Sequence, residues 1–144
     1  MGQRVSGDTV IAADLSAVYD VIADLPRYPE WAEDVERTEV LESDPDGLPL
    51  LASFRVDARI AMVNYTLRYQ HQRPDRVRWS LVEGELLHQL DGEYVLTATD
   101  DGTHVEYALE AALAMPLPSF LQRRAARIIV DTGLQGLRRR VEEG

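Results

Sequence analysis

A chain of 144 residues with a formal net charge of −10, 45% hydrophobic and 28% charged, is long enough to bury a sizeable core and has an ordinary globular composition. It has no cysteine, and all 15 basic residues are arginine, which excludes disulfides, thiolate metal sites, cysteine nucleophiles, Schiff-base lysines and phosphate-loop lysines. The acidity argues against general binding of nucleic acid, no apolar run reaches bilayer length, and the N-terminus shows no secretory pattern; the expectation is a cytoplasmic protein without integral membrane contact, and the arginine-only usage points to a bacterial, GC-rich coding background.

Gln3 to Ala12 reads as a first strand. Val18, Val21, Ile22 and Leu25 then recur at helical spacing, which predicts a helix over about 14–24 with Asp14 as its cap. Pro26 and Pro29 break it, and a shorter helix is expected around 27–32, carrying Tyr28 and Trp31. Glu33 to Leu41 reads as a strand ended by the turn cluster Ser43–Gly47. The next segment alternates, with Leu50, Ala52, Phe54, Val56, Ala58 and Ile60 opposite Ser53, Arg55, Asp57 and Arg59. Val63, Tyr65, Leu67, Tyr69 and His71 share a face of the following strand, and Val77, Trp79 and Leu81 a face of the next. Gly84 interrupts as a turn or bulge. Leu90, Tyr94 and Leu96 are in one phase of a strand over 86–98, and Asp100-Asp101-Gly102 signals a tight hairpin. Val105, Tyr107, Leu109, Ala111 and Leu113 oppose His104, Glu106 and Glu110. The short connections predict an antiparallel meander with arginines and glutamates on its water-facing side. After Met115–Pro118 a long helix closes the chain, with Leu121, Ala125, Ile128 and Thr132 along one stripe that drifts toward Val130, Leu134, Leu137 and Val141. Gly133 and Gly136 interrupt it at some cost in propensity, leaving room for a ligand or for a close sheet contact.

The segments AADLSAVYDVIADLPRYPEWAEDV, VRWSLVEGELLHQLDGEYVL and DGTHVEYAL, followed by a proline-broken helix, resemble the START-like SRPBCC superfamily, closest to its polyketide cyclase/dehydrase and Coq10-like lipid-transport branch. The resemblance covers about residues 5–142. It implies an α+β helix-grip (START/Bet v 1-like) fold over the single domain 1–144: a seven-stranded curved antiparallel sheet wrapped around a long C-terminal helix, with two short helices after strand 1 and a ligand cavity between sheet and helix. The superfamily places carriers, cyclases and regulators on one scaffold, so the fold does not decide the activity. Cyclases of the branch hold their substrate with cavity Arg and Tyr groups; here the strand phases put nearly every arginine outside, and Asp34-Val35 stands after the YPEW segment. These departures favour binding over catalysis.

Tyr65, Tyr69, Trp79, Tyr94 and Tyr107 fall on the inward phase of four strands. Each alone reads as core, but together they describe an amphipathic pocket, because buried tyrosine hydroxyls need partners. Phe54, Ile128 and Thr132 complete the expected lining, and Tyr28 and Trp31 are expected at its mouth, with Trp31 alternatively plugging the core. Glu83 shares the inward phase of Trp79 and Leu81 and is a candidate cavity acid, although Glu83 and Glu85 flanking Gly84 also read as solvated turn groups. His71 and His88 are inward, but on strands separated by one other. They should sit roughly 10 Å apart, too far to share a metal unaided, and backbone-bonded rim histidines are the simpler expectation. No metal and no cofactor is expected, and no catalytic residue is named. Arg123, Arg124, Arg127 and Arg138–Arg140 load the last helix with charge; this reads as a solvated face or as a docking face for an anionic partner.

The reading is a domain that binds a hydrophobic or amphipathic small molecule, such as a lipid, an isoprenoid or a polyketide-like compound. The alternative is a cofactor-independent polyketide cyclase/dehydratase. Monomer and homodimer both remain open.

Overall fold

The structure, a computed structural model, describes residues 3–57 and 61–144. Ala58, Arg59 and Ile60, expected to extend the third strand, lie outside the described residues. Seven strands are present: β1 (Gln3–Ile11), β2 (Val35–Ser43), β3 (Pro49–Asp57), β4 (Met62–Gln72), β5 (Arg76–Gly84), β6 (Leu87–Thr99) and β7 (Gly102–Leu113). They form one antiparallel sheet in the order β1-β7-β6-β5-β4-β3-β2. The meander explains this order: each short turn places successive strands side by side, and only β1 crosses to pair with β7. Between β1 and β2 run α1 (Leu15–Ala23) and a 3-10 turn (Leu25–Glu30), and α2 (Ser119–Glu143) closes the chain.

Local chemistry fixes the boundaries. The Asp14 carboxylate accepts from the Ala17 N–H at 2.9 Å and starts α1. Pro26 and Pro29 remove the amide donors an α-helix would need, and the segment tightens into the 3-10 turn. The Asp44 carboxylate accepts from both Asp46 N and Leu48 N at 2.9 Å and shapes the β2–β3 turn. At the β6–β7 hairpin Gly102 has φ +137°, and a Cβ there would lie 2.1 Å from the Ile11 carbonyl oxygen; only glycine lets that hairpin touch β1.

One surface of the sheet is charged and the other apolar. On the convex side Arg55 pairs with Glu36 and Arg78 with Glu93, both at 3.0 Å. On the concave side α2 lies over β1 and β7 and touches α1. Its buried stripe is Ala126, Val130, Leu134 and Leu137, which meets Val5, Ile11, Val105 and Leu109. Gly7 permits the close approach, since a Cβ there would sit 3.1 Å from Val130 and 3.2 Å from Leu134. Thr103, fully buried, donates to the Ala13 carbonyl at 2.7 Å, so this half of the core has no unpaired polar group there.

Candidate ligand cavity

The concave surface of β3 to β6 is aromatic. Strand pairing sets Phe54 beside Tyr65, Tyr69 beside Trp79 and Tyr94 beside Tyr107, and side chains of directly paired residues share a face. The rings form two groups. Tyr28, Trp31, Phe54 and Tyr65 make one, with centroids 4.8 Å (Tyr28–Trp31), 6.4 Å (Tyr28–Phe54) and 5.3 Å (Phe54–Tyr65) apart. Tyr69, Trp79, Tyr94 and Tyr107 make the other, with separations of 4.5 to 6.0 Å. Trp79 faces inward, as its strand phase predicts. It lies flat over Gly92, where a Cβ would come within 2.3 Å of its ring.

The covering elements are placed by small residues. Gly133 of α2 sits over Tyr107, and a Cβ there would be 3.0 Å from the Tyr107 ring and 3.9 Å from the Tyr94 hydroxyl. Gly136 does the same against Trp31, at 3.2 Å from its carbonyl oxygen. Both glycines therefore act as contact points, one toward the sheet and one toward the 3-10 turn. That turn is pinned over β2 by the Thr38 hydroxyl, which donates to the Leu25 carbonyl at 2.6 Å. The Tyr28 hydroxyl donates to the Ile22 carbonyl at 2.5 Å; Tyr28 is tied back to α1, while half-buried Trp31 remains at the border between the aromatic surface and α2.

The hydroxyls of Tyr65, Tyr69, Tyr94 and Tyr107 behave differently. They have no hydrogen-bond partner among the described residues, yet no side-chain polar atom sealed from solvent is left unpaired there. These hydroxyls therefore open onto space that a water or a ligand's polar group can reach. Burial pushes the pKa of all four well up, and mutual repulsion adds to it for Tyr69 and Tyr107. Tyr28 is raised by burial and then by Tyr69, Tyr107 and Tyr65. The rings themselves are close, with Tyr94 and Tyr107 centroids 4.5 Å apart and Trp79 within 6.0 Å of Tyr69, Tyr94 and Tyr107. At neutral pH the hydroxyls are uncharged donors and acceptors.

A second polar element lies at the far edge. His71 Nε2 is 2.6 Å from the Pro49 carbonyl oxygen, and Nδ1 is 2.6 Å from the Tyr19 hydroxyl. A carbonyl only accepts, so Nε2 donates to Pro49, and the Tyr19 hydroxyl bridges Nδ1 and the Arg76 carbonyl, 3.2 Å away. Burial pushes Tyr19 up to about 12. With both nitrogens engaged, His71 is the backbone-bonded histidine that its phase suggests. Tyr19 was not singled out in the sequence, although Leu15, Val18, Tyr19 and Ile22 lie along one helical face.

Three expected positions are corrected. Glu83 does not face the cavity. The β4–β5 ladder slips between Leu67–Leu81 and Thr66–Glu83; the bulge at Val82 inverts the phase, so Glu83 is exposed on the convex side and Gly84 takes the inward place beside Tyr65. It contributes there, with Ser53, Arg55, Asn64 and Thr66, to an open polar depression of about 410 Å³. His88 is turned out in the same way, by a slip between Leu87 and Gln89 that brings Leu87 inward instead. Ile128 is 56% exposed, about 200° around the helix from both Ala126 and Val130. The stripe Leu121–Ala125–Ile128 is the outer face of α2, and Thr132 is half-buried on its flank.

With these corrections the concave wall is apolar and aromatic, bears neutral polar tips and lies between a sheet and one long helix. The family described as polyketide cyclase / dehydrase and lipid transport matches residues 11–138. The chain belongs to that family. Among solved structures it is similar to a START superfamily protein from Mycobacterium smegmatis, with a TM-score of 0.90 at 18% identity over 97% of each chain. It is also similar to the Zhui aromatase/cyclase from Streptomyces sp. R1128, with a TM-score of 0.82 at 17% identity over 99% of this chain and 95% of that one. A STAR-related lipid transfer protein fragment from Xanthomonas axonopodis follows, with a TM-score of 0.75 at 20% identity over 96% and 85%. At these identities the likeness shows the helix-grip fold of START and Bet v 1 type and leaves activity to the site. Among proteins of curated function none matches the chain.

Proposed function

We propose that this family member binds a hydrophobic or amphipathic small molecule, of lipid, isoprenoid or polyketide-like chemistry, between the concave face of β3–β6 and α2. The observation that carries this reading is the set of four tyrosine hydroxyls, on Tyr65, Tyr69, Tyr94 and Tyr107, that stand without protein partners among the described residues on one otherwise apolar face of the sheet. A dry core would pair or exclude such groups; a binding site keeps a few of them free to orient a ligand. Phe54, Trp79 and Trp31 supply the apolar contacts.

The same hydroxyls support a second reading, cyclisation of a bound polyketide chain. Neutral phenols can hold ketone oxygens in a folded arrangement, and positioning lowers the barrier of an intramolecular aldol closure. The binding reading is preferred because no charged side chain faces the concave wall among the described residues and every cavity tyrosine is held neutral, leaving no strong base for proton abstraction. Native mass spectrometry of protein purified from its own host should find a co-purified apolar molecule, and the Tyr69→Phe/Tyr94→Phe variant should retain less of it. An empty protein that also fails to take up long-chain fatty acid or polyketide-like probes would overturn the proposal. Conversion of a linear poly-ketone to a cyclic product would favour the second reading.

A further inference from the structure

The outer face of α2 is unlike the surface of a protein with a net charge of −10. Its first twelve residues, 119–130, contain no carboxylate. Phe120 is 68% exposed and Ile128 56%, and Arg124 and Arg127 lie between them on the same side of the helix. Arg4 of β1, with Arg123, Arg124 and Arg127, borders a notch of about 470 Å³ beside Phe120. Arg127 is held by the Ser6 carbonyl and by Asp131, whereas Arg4, Arg123 and Arg124 have no carboxylate partner among the described residues. The neighbouring end of β5 and the turn after it add exposed Val82 and Leu86, with exposed Glu83 between them. That turn is joined to the start of α2 through Ala114 N to Leu86 O at 3.0 Å, and Gln122 accepts from the adjacent Leu113 N. The nearby carboxylate of Glu85 is taken up by Asn64.

The opposite end of the molecule is acidic. Asp14, Asp44, Asp75, Asp100 and Asp101 stand in or beside its turns, and Glu142 ends α2 there, accepting from Ala12 N. The arginine cluster of α2 and Arg4 is therefore a local basic patch set apart from these acidic turns, and it carries projecting aromatic and aliphatic side chains. We infer that this end, formed by the first turns of α2, the start of β1 and the β5–β6 turn, docks on an anionic lipid bilayer. Separate apolar projections set among arginines suit the headgroup–acyl boundary, where each side chain inserts on its own. A protein partner would instead need a continuous apolar core of several hundred Å². The acidic turns, repelled by the same surface, face away and set the orientation. The purpose of this docking rests on the ligand reading: a hydrophobic cargo needs an apolar phase to enter and leave.

Vesicle flotation tests it, with vesicles of phosphatidylglycerol and phosphatidylcholine against phosphatidylcholine alone. The wild-type protein should float with the anionic vesicles only, and less so as salt rises. Arg123→Gln/Arg124→Gln should lower the partition about thirtyfold, at roughly a fivefold loss per arginine near a charged surface. Phe120→Ser/Ile128→Ser should lower it by about tenfold or more. Arg138→Gln/Arg139→Gln, an equal charge change at the other end of α2, should leave it unchanged. Wild-type protein that stays out of anionic vesicles at low salt would overturn the inference and turn attention to an acidic protein partner. Equal loss in the Arg138/Arg139 variant would overturn it as well. Uptake of apolar ligand without vesicle binding would remove this inference alone, and vesicle binding without uptake would remove the ligand reading alone.

Discussion

The two halves of the concave face are built differently. Under α2, β1 and the two ends of β7 present buried aliphatic side chains (Val5, Ile11, Val105, Leu109), with Thr103 paired; across β3–β6 and at Tyr107 in mid-β7 the same face presents rings, and four tyrosine hydroxyls there have no partner among the described residues. The first half supplies most of the aliphatic burial that holds the fold together, and the second keeps its polar tips within reach of water or a ligand, so it contributes less to stability. The contrast separates stability from binding by residue, and substitution can test it.

The largest effect is expected at Leu137, fully buried in the closed half. Leu137→Ala should cost about 2–5 kcal/mol in urea unfolding while ligand affinity is unchanged in the folded protein. Trp31→Ala should come next. Because Trp31 is only half-buried, the loss should stay below about 3 kcal/mol, and uptake of an apolar fluorescent probe should fall more than stability does. A larger loss with unchanged uptake would move Trp31 into the closed half, as a plug. Gly92→Ala should cost about 1–3 kcal/mol, since Trp79 must move off residue 92; its emission should shift, and unchanged emission would mean that the ring is not packed there.

The smallest effect at neutral pH is that of Tyr69→Phe or Tyr94→Phe, under about 1 kcal/mol because no protein hydrogen bond is lost, with a clear loss of affinity for ligands bearing a polar group. Alkaline titration sharpens this. The tyrosines hold pKa values above the usual 10 in the fold. Their neutral form is therefore favoured by folding, and the contribution is complete below pH 10 and lost as pH rises past it. Without lysine or cysteine, tyrosine is the principal side chain titrating there. The urea midpoint should fall steeply between pH 10 and 11.5, and less steeply in each Tyr→Phe variant; a flat profile would mean that the rings are solvated.

The sheet was legible because a period of two is robust: the phases read for Tyr65–His71, Val77–Leu81, Leu90–Leu96 and Val105–Leu109 are the observed ones. What failed was local. One extra residue at Val82 and another at His88 inverted the phase beyond them, and nothing in the pattern marks which residue bulges; Gly84 advertised only that something happens nearby. In α2 the apolar residues are too many for one face. Leu121 and Ile128 compete with Ala126 and Val130 on the wheel, and only the sheet decides between them. Gly92 and Tyr19 act through contacts distant in sequence, to which no local window is sensitive.

The bulge at Val82 has a consequence for traffic. By turning Glu83 outward it leaves the aromatic wall without a fixed charge. On the ligand reading proposed above, an ionised head would find no counter-charge beside the tyrosines and would stay at the rim with its water, while the greasy tail goes in. Loading would be polar, like a plug with one live end, and the reversed isomer of such a molecule, with its charge at mid-chain, would be refused.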